Sequence, residues 1–217
     1  MIRAATLLAL GLLLAAPMTA RGAVLIEMVF GAAPIRVVID RPQQRVAVAE
    51  GARRTWFDLA NGLVYHQDGQ GPAKRAHARY RPGYEAPPPY RIERFGPGPI
   101  VAGQASTYHV LFVDERICAE MMLSNWMLPF VDPAIRALAL VRQLRGGDHD
   151  DPCADIPLAT YAAAGWPLLA GKADRPTLAT RSITFDYPSD PAELTPPAAF
   201  VEVPAEALAR TLGGNGW

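Results

Sequence analysis

The chain has 217 residues with 21 basic and 21 acidic side chains, 50% hydrophobic residues, 21 prolines and two cysteines. A net charge of zero supplies no field for holding nucleic acid or an anionic membrane surface, so neither is expected as a bulk partner. The length suits one domain with a substantial core.

At the N-terminus, Arg3 precedes an apolar run from Leu7 to Ala16 that only Gly11 interrupts and Pro17 ends. The run is too short to span a bilayer comfortably, and the small residues Thr19-Ala20 and Gly22-Ala23 follow it. Residues 1–20 therefore read as a signal peptide cut after Ala20 or Ala23, which leaves no transmembrane anchor. A lipoprotein needs cysteine at the cleavage point, and the first one is Cys118. The expected location is the periplasm, with residues 21–212 as a single β-rich domain and 213–217 as a frayed tail. In that oxidising space Cys118 and Cys153 are expected to form a disulfide closing a loop of about 35 residues. Separate buried thiols or a metal pair are the alternatives, and the lack of CxxC spacing counts against the second.

Short β-branched or aromatic runs bounded by Gly, Pro or Asp then recur at antiparallel spacing: 24–30, 35–40, 45–50, 55–59 and 63–66. Asn61-Gly62 between the last two favours a tight hairpin, because both residues tolerate positive φ. From Gly69 to Pro99 glycine and proline are dense, and the weaker strands 76–80 and 90–95 are placed at edges. The best strand pair is 103–113 with 116–124, joined by Asp114-Glu115. Tyr108, Val110 and Phe112 alternate with Thr107, His109 and Leu111, giving one strongly apolar face and one mixed face.

Asp132-Pro133 starts a helix of about three turns, with Asp as N-cap, Pro at the first position and Gly146-Gly147 at the end. Strands at 165–170 and 178–186 and short helices at 191–195 and 204–212 complete the pattern. The fold class that follows is mainly β with α: a strongly curved antiparallel sheet, an unclosed half-barrel, covered by one or two helices.

Ile100-Val101-Ala102-Gly103 leading into Tyr108-His109-Val110, the strand Ile117 to Leu123, Gly165-Trp166-Pro167-Leu168, Ser182-Ile183-Thr184 and Phe200-Val201-Glu202-Val203-Pro204 carry a resemblance over about residues 24–205. In these the chain resembles a family of uncharacterised exported bacterial domains and, more distantly, the half-open barrels of periplasmic lipoprotein carriers and outer-membrane lipoprotein receptors. The resemblance implies an apolar concavity plugged by helices and the binding of an acyl chain in transit. No arginine here is assignable to the ligand-release role that the lipoprotein carriers use.

Catalytic signatures are absent: no GxSxG, HExxH, P-loop or GxGxxG, and none of His66, His77, His109 and His149 stands four residues from another. Asp148-His149-Asp150-Asp151 lacks the spacing of a calcium loop and reads as a solvated acidic loop. Met121, Met122 and Met127 beside His109 have the softness of a copper site, but Met121 and Met122 point to opposite faces of one strand, so cavity lining is preferred. No cofactor, metal or catalytic residue is assigned.

The candidate ligand-binding residues are Tyr108, Val110, Phe112, Met122, Trp126, Met127, Leu128 and Phe130; a void of several hundred Å3 between the helix and the sheet and a plainly packed core are equally compatible with their pattern. The expected function is binding of a lipid or acyl chain, by a protein that is not an enzyme. Docking of another envelope protein is the alternative, and a hydrolase with an unrecognised site is a third.

Overall fold

The computed structural model describes residues 22–82, 90–145, 153, 156, 158–172 and 175–212. The expected signal peptide at 1–20, the segment 148–151 read as an acidic loop and the expected tail at 213–217 lie outside the described residues. Strands β1 (Ala23–Phe30), β2 (Ala33–Asp40), β3 (Arg45–Glu50), β4 (Arg53–Asp58), β5 (Leu63–Asp68) and β6 (Ala73–His77) follow one another as an antiparallel meander. A second meander comprises β7 (Tyr90–Pro97), β8 (Thr107–Val113), β9 (Arg116–Ser124), β10 (Trp166–Lys172) and β11 (Arg175–Tyr187). Strand β11 pairs with β1, and the short β12 (Phe200–Glu202) lies parallel to β6, so all twelve strands form one sheet. Its order is β12-β6-β5-β4-β3-β2-β1-β11-β10-β9-β8-β7, a large curved sheet whose end strands do not pair with each other.

Side-chain alternation sorts this sheet into two faces. One cross-strand row reads Val24, Ile39, Val46, Phe57, Val64 and Ala76, all buried in the main core. The neighbouring row on the opposite face reads Leu25, Val38, Ala47, Trp56 and Tyr65, a smaller core closed by Leu194 of α3 (Pro191–Leu194). The Asp190 carboxylate caps α3, accepting from the Ala192 amide at 2.9 Å. The Trp56 indole N–H donates to the Glu193 carbonyl at 3.0 Å, which ties α3 to the sheet.

Helix α1 (Leu128–Arg145) lies on the main-core face against β2, β3 and β10, with α2 (Leu158–Ala162) and α4 (Ala205–Leu212) packed beside it. It begins a turn earlier than Asp132-Pro133 predicts. Met127 and Val131 are both fully buried, and the Met127 carbonyl accepts from the Phe130 and Val131 amides. Burial of that extra turn outweighs the missing Pro133 N–H, and Asp132 pairs instead with Arg136 at 2.9 Å, four residues on. The space enclosed by Val37, Val46, Phe57, Ala134, Ala137 and Trp166 is only about 10 Å3, room for one water, so of the two alternatives the interior here is the packed one. At this position the helix and sheet are in contact.

Cys118 on β9 is bonded to Cys153, with Cα atoms 4.9 Å apart, so the chain after α1 is fastened to the sheet. The β4–β5 hairpin is looser than expected. It spans four residues, only Gly62 has positive φ (64°), and the Asp58 carboxylate accepts from the Asn61 backbone and side-chain amides. No helix among the described residues is long and apolar enough to cross a membrane.

Candidate functional site

Where β9 leaves the sheet, Asn125-Trp126-Met127 leads into α1. Met127 drops into the core and is fully buried, and its neighbour Trp126 is turned outward, 57% exposed. The Trp126 ring lies 5.0 Å from Phe130 and 5.5 Å from Phe185 of β11, and Phe130 and Phe185 are 5.1 Å apart. Three rings in mutual tilted and edge contact form a rigid apolar surface that water still reaches. The Arg41 guanidinium stands 5.3 Å from the centre of the Phe130 ring.

Beside these rings opens a cleft of about 960 Å3, bounded by Val24, Arg41, Phe130, Pro133, Phe185 and Tyr187 among others. Its floor comes from β1 and β11, one wall from the β2–β3 turn and the other from the first turns of α1. The irregular end of β11 shapes the rim: Asp186 has φ of 54°, and Phe185, Asp186 and Tyr187 all border the cleft. A regular strand would send the middle one of three to the other face. Asp132 is neutralised by Arg136, which also donates to the Gln44 side chain and so braces the β2–β3 turn against α1.

The eight residues proposed from sequence divide between two places. Met127 is in the main core, Phe130 packs against it, and Trp126, Leu128 and Phe130 belong to the exit loop and first turn of α1. Tyr108, Val110, Phe112 and Met122 lie on the opposite face of β8 and β9, because Leu111, Met121 and Leu123 occupy the α1 side. There Phe95 stacks on Tyr108 at 5.9 Å and Arg91 covers Phe112 at 4.4 Å. Burial and the adjacent Glu120 carboxylate push the Tyr108 phenol above its usual range. The alternation of β8 was legible, but it is the mixed face, with Leu111, and not the more apolar face of Tyr108, Val110 and Phe112 that joins the main core, because periodicity alone does not say which face meets the helix. Phe185, Arg41, Val24 and Tyr187 were not singled out from sequence. The alternation of Ala179, Arg181, Ile183 and Phe185 was the available signal for the first of them.

One hydroxyl–imidazole pair is present. Thr55 Oγ1 lies 3.0 Å from His66 Nδ1 under the end of α4, beside Glu50, Arg53 and Thr211. The void there is about 20 Å3, enough for a water but not for a substrate carbonyl. Burial lowers the His66 pKa, with Lys74 and Arg53 acting in the same direction and Asp68 against them. Among the described residues no three His, Cys, Asp or Glu side chains are grouped to hold a metal ion.

No family model matches the chain, and no curated protein matches it. Among solved structures it is similar to PNGF-II in two crystal forms. In the P21 form the TM-score is 0.46 at 10% identity, covering 90% of this chain and 34% of that one. In the C2 form the TM-score is 0.42 at 9% identity, covering 88% and 32%. The chain thus spans about a third of the length of PNGF-II.

Proposed function

We propose that this chain is an exported, periplasmic binding protein for a lipid or acyl chain, acting without catalysis. In this reading the curved sheet is an unclosed half-barrel, α1 and α4 cover its inner face, and the ligand enters at the N-terminal end of α1. The observation that carries the reading is the ring cluster of exposed Trp126 with half-buried Phe130 and Phe185, the last two of which line a cleft of about 960 Å3. The cleft sets this aromatic wall beside Arg41, Gln44, Asp132 and Asp186, and a concavity with apolar walls and a few polar groups is the usual chemistry of a site for an amphipathic molecule. Because α1 and the sheet are in contact farther along, the reading puts the ligand at this mouth and not at the centre of the sheet.

The test is to purify the protein from a bacterial envelope, extract it with organic solvent and analyse the extract by mass spectrometry. Stoichiometric lipid is expected, and Trp126→Ala should weaken rebinding of a fluorescent fatty acid about tenfold, as loss of an aromatic anchor does. A clean extract together with unchanged dye binding in Trp126→Ala overturns the reading.

A second reading, docking of another envelope protein, is favoured by the other face of the sheet. Phe95 and Ile117 are 58% and 59% exposed there, beside Tyr108 and Phe112. Lipid-free protein that loses an envelope partner on Phe95→Ser would support it.

A further inference from the structure

Arg36, Arg45, Arg53, Arg75 and Arg136 each stand beside a carboxylate of this protein. Arg41 is half-buried on the wall of the cleft, and no carboxylate among the described residues pairs with it. Its guanidinium rests instead over the Phe130 ring, 5.3 Å from the centre. A ring face attracts the cation without occupying its forked N–H edge, the part that matches a carboxylate or phosphate with two parallel bonds.

The turn carrying Arg41 is braced. The Arg41 carbonyl accepts from the Gln44 backbone amide at 3.2 Å and from the Gln44 side-chain amide at 2.7 Å, with Gln44 at φ of 55°. The Gln44 side-chain oxygen accepts in turn from Arg136 on α1. A cation on a fixed turn, already drawn onto an aromatic ring, loses little freedom when a guest pairs with it. Of the carboxylates bordering the cleft, Asp132 is matched by Arg136 at 2.9 Å, and Asp186 is exposed, where water screens it. The less screened charge in the cleft is therefore that of Arg41.

We infer that Arg41 binds the anionic head of the ligand, which is an amphiphile ending in a carboxylate or a phosphate. The inference rests on the lipid-binding reading above and assigns the charge of its ligand. The head lies at the β2–β3 turn, and the apolar part crosses Phe130 and Phe185 towards Trp126, whose ring is 5.0 Å and 5.5 Å from theirs. No part of the ligand enters the packed core under α1. A neutral amphiphile gains the same aromatic surface but gives the guanidinium no counter-charge, and a cationic one is repelled by it. The site thus ranks anionic heads above neutral and neutral above cationic on a chain of one length.

The test is calorimetric binding of decanoate, decyl phosphate, decanol and decyltrimethylammonium to the full chain, each below the concentration at which it forms micelles. The anions are expected to bind about tenfold to a hundredfold tighter than decanol, as a charge-assisted pair provides, and the cation more weakly than decanol. Arg41→Gln removes the charge and should abolish that preference, whereas Arg41→Lys should retain part of it. Raising salt from about 0.05 M to about 0.5 M should shrink the preference in the parent and not in Arg41→Gln. Decanoate tighter than decyl phosphate assigns a fatty-acid head, the reverse assigns a phospholipid-like head, and either supports the inference. If decanol binds as tightly as the anions, or if folded Arg41→Gln keeps the anion preference, the anchor is refuted and lipid binding stands. Cation binding tighter than anion binding would give the site to Asp186 and also refute it. If none of the four binds, the lipid-binding reading and the anchor fall together. Should Arg41→Gln fail to fold, Arg41→Lys is read by the same ranking, and an undiminished preference there, with no salt dependence in the parent, refutes the anchor.

Discussion

Thr55 and His66 face each other across β4 and β5, with the Thr55 hydroxyl oxygen 3.0 Å from His66 Nδ1. The hydroxyl can donate to a neutral imidazole or accept from a protonated one, so the bond itself survives titration. The burial of the ring does not tolerate the charge equally well. Burial holds the folded-state pKa of His66 below 6.5, Lys74 and Arg53 reinforce it, and Asp68 opposes. Between the two values the unfolded chain takes up the proton first. The contribution of neutral His66 is therefore complete above pH 6.5 and is lost as pH falls through 6.5 towards the folded value. Urea midpoints at about pH 7.5 and about pH 5.5 should show a drop that is smaller in His66→Gln. An equal drop in both proteins would remove His66 as its source.

The Cys118–Cys153 bond spans 35 positions of sequence. Closing a loop of that size lowers the entropy of the unfolded chain, with a stabilisation of about 3–4 kcal/mol in the chain-entropy model. The double variant Cys118→Ala with Cys153→Ala should lose about that much in a urea titration. Non-reduced parent protein should show no reactive thiol. Alanine is the suitable replacement because both cysteines are buried, and serine would add two hydroxyls in need of partners.

Leu111 and Ile117 test which side of β8 and β9 holds the core. Leu111 is fully buried on the α1 side, and Ile117 is 59% exposed across from Phe112 on the other. Leu111→Ala should destabilise by about 2–5 kcal/mol. Ile117→Ala should stay within about 0.5 kcal/mol. Comparable losses from the two would mean that the outer face is as well packed as the inner one.

Much of the sheet was legible because its signals are local. Arg45–Glu50 and the β8–β9 hairpin at Asp114-Glu115 fall where period-two alternation and a polar turn place them, with Asp114 at φ of 51°. The disulfide followed from having only two cysteines in a chain whose sequence reads as exported. What sequence could not supply is anything set by distance. Three-residue β12 exists only because its backbone pairs with Ala73, Lys74 and Arg75, more than a hundred positions away. α1 gained a turn from the burial of Met127 and Val131. The site suffered most, since the sequence does not say which face of β8 meets the helix, and the ring of Phe185 comes to Trp126 through the side-by-side order of β11, β10 and β9 in the sheet.

Gly165 supplies the last prediction, because it stands between α2 and Trp166. Its φ is 149°, and a Cβ there would lie 2.4 Å from the Asn125 side-chain oxygen and 3.1 Å from Leu123 Cβ. Gly31, with φ of 58° and nothing within 4 Å, gives the cost of an ordinary left-handed position free of contacts. Gly31→Ala should cost about 1 kcal/mol, the strain of an ordinary residue at positive φ. Gly165→Ala should cost more, about 2–3 kcal/mol, because the contact adds to the strain. Asn125 is exposed, so Asn125→Ala alone should change little. In the Asn125→Ala background the clash with the side-chain oxygen is gone and Gly165→Ala should cost less than in the parent, while the strain at φ of 149° and the approach of Leu123 Cβ remain. A double-mutant cycle measured by urea unfolding reads that coupling directly. Strictly additive losses would show that the backbone conformation alone, and not the approach of Asn125, requires glycine before Trp166.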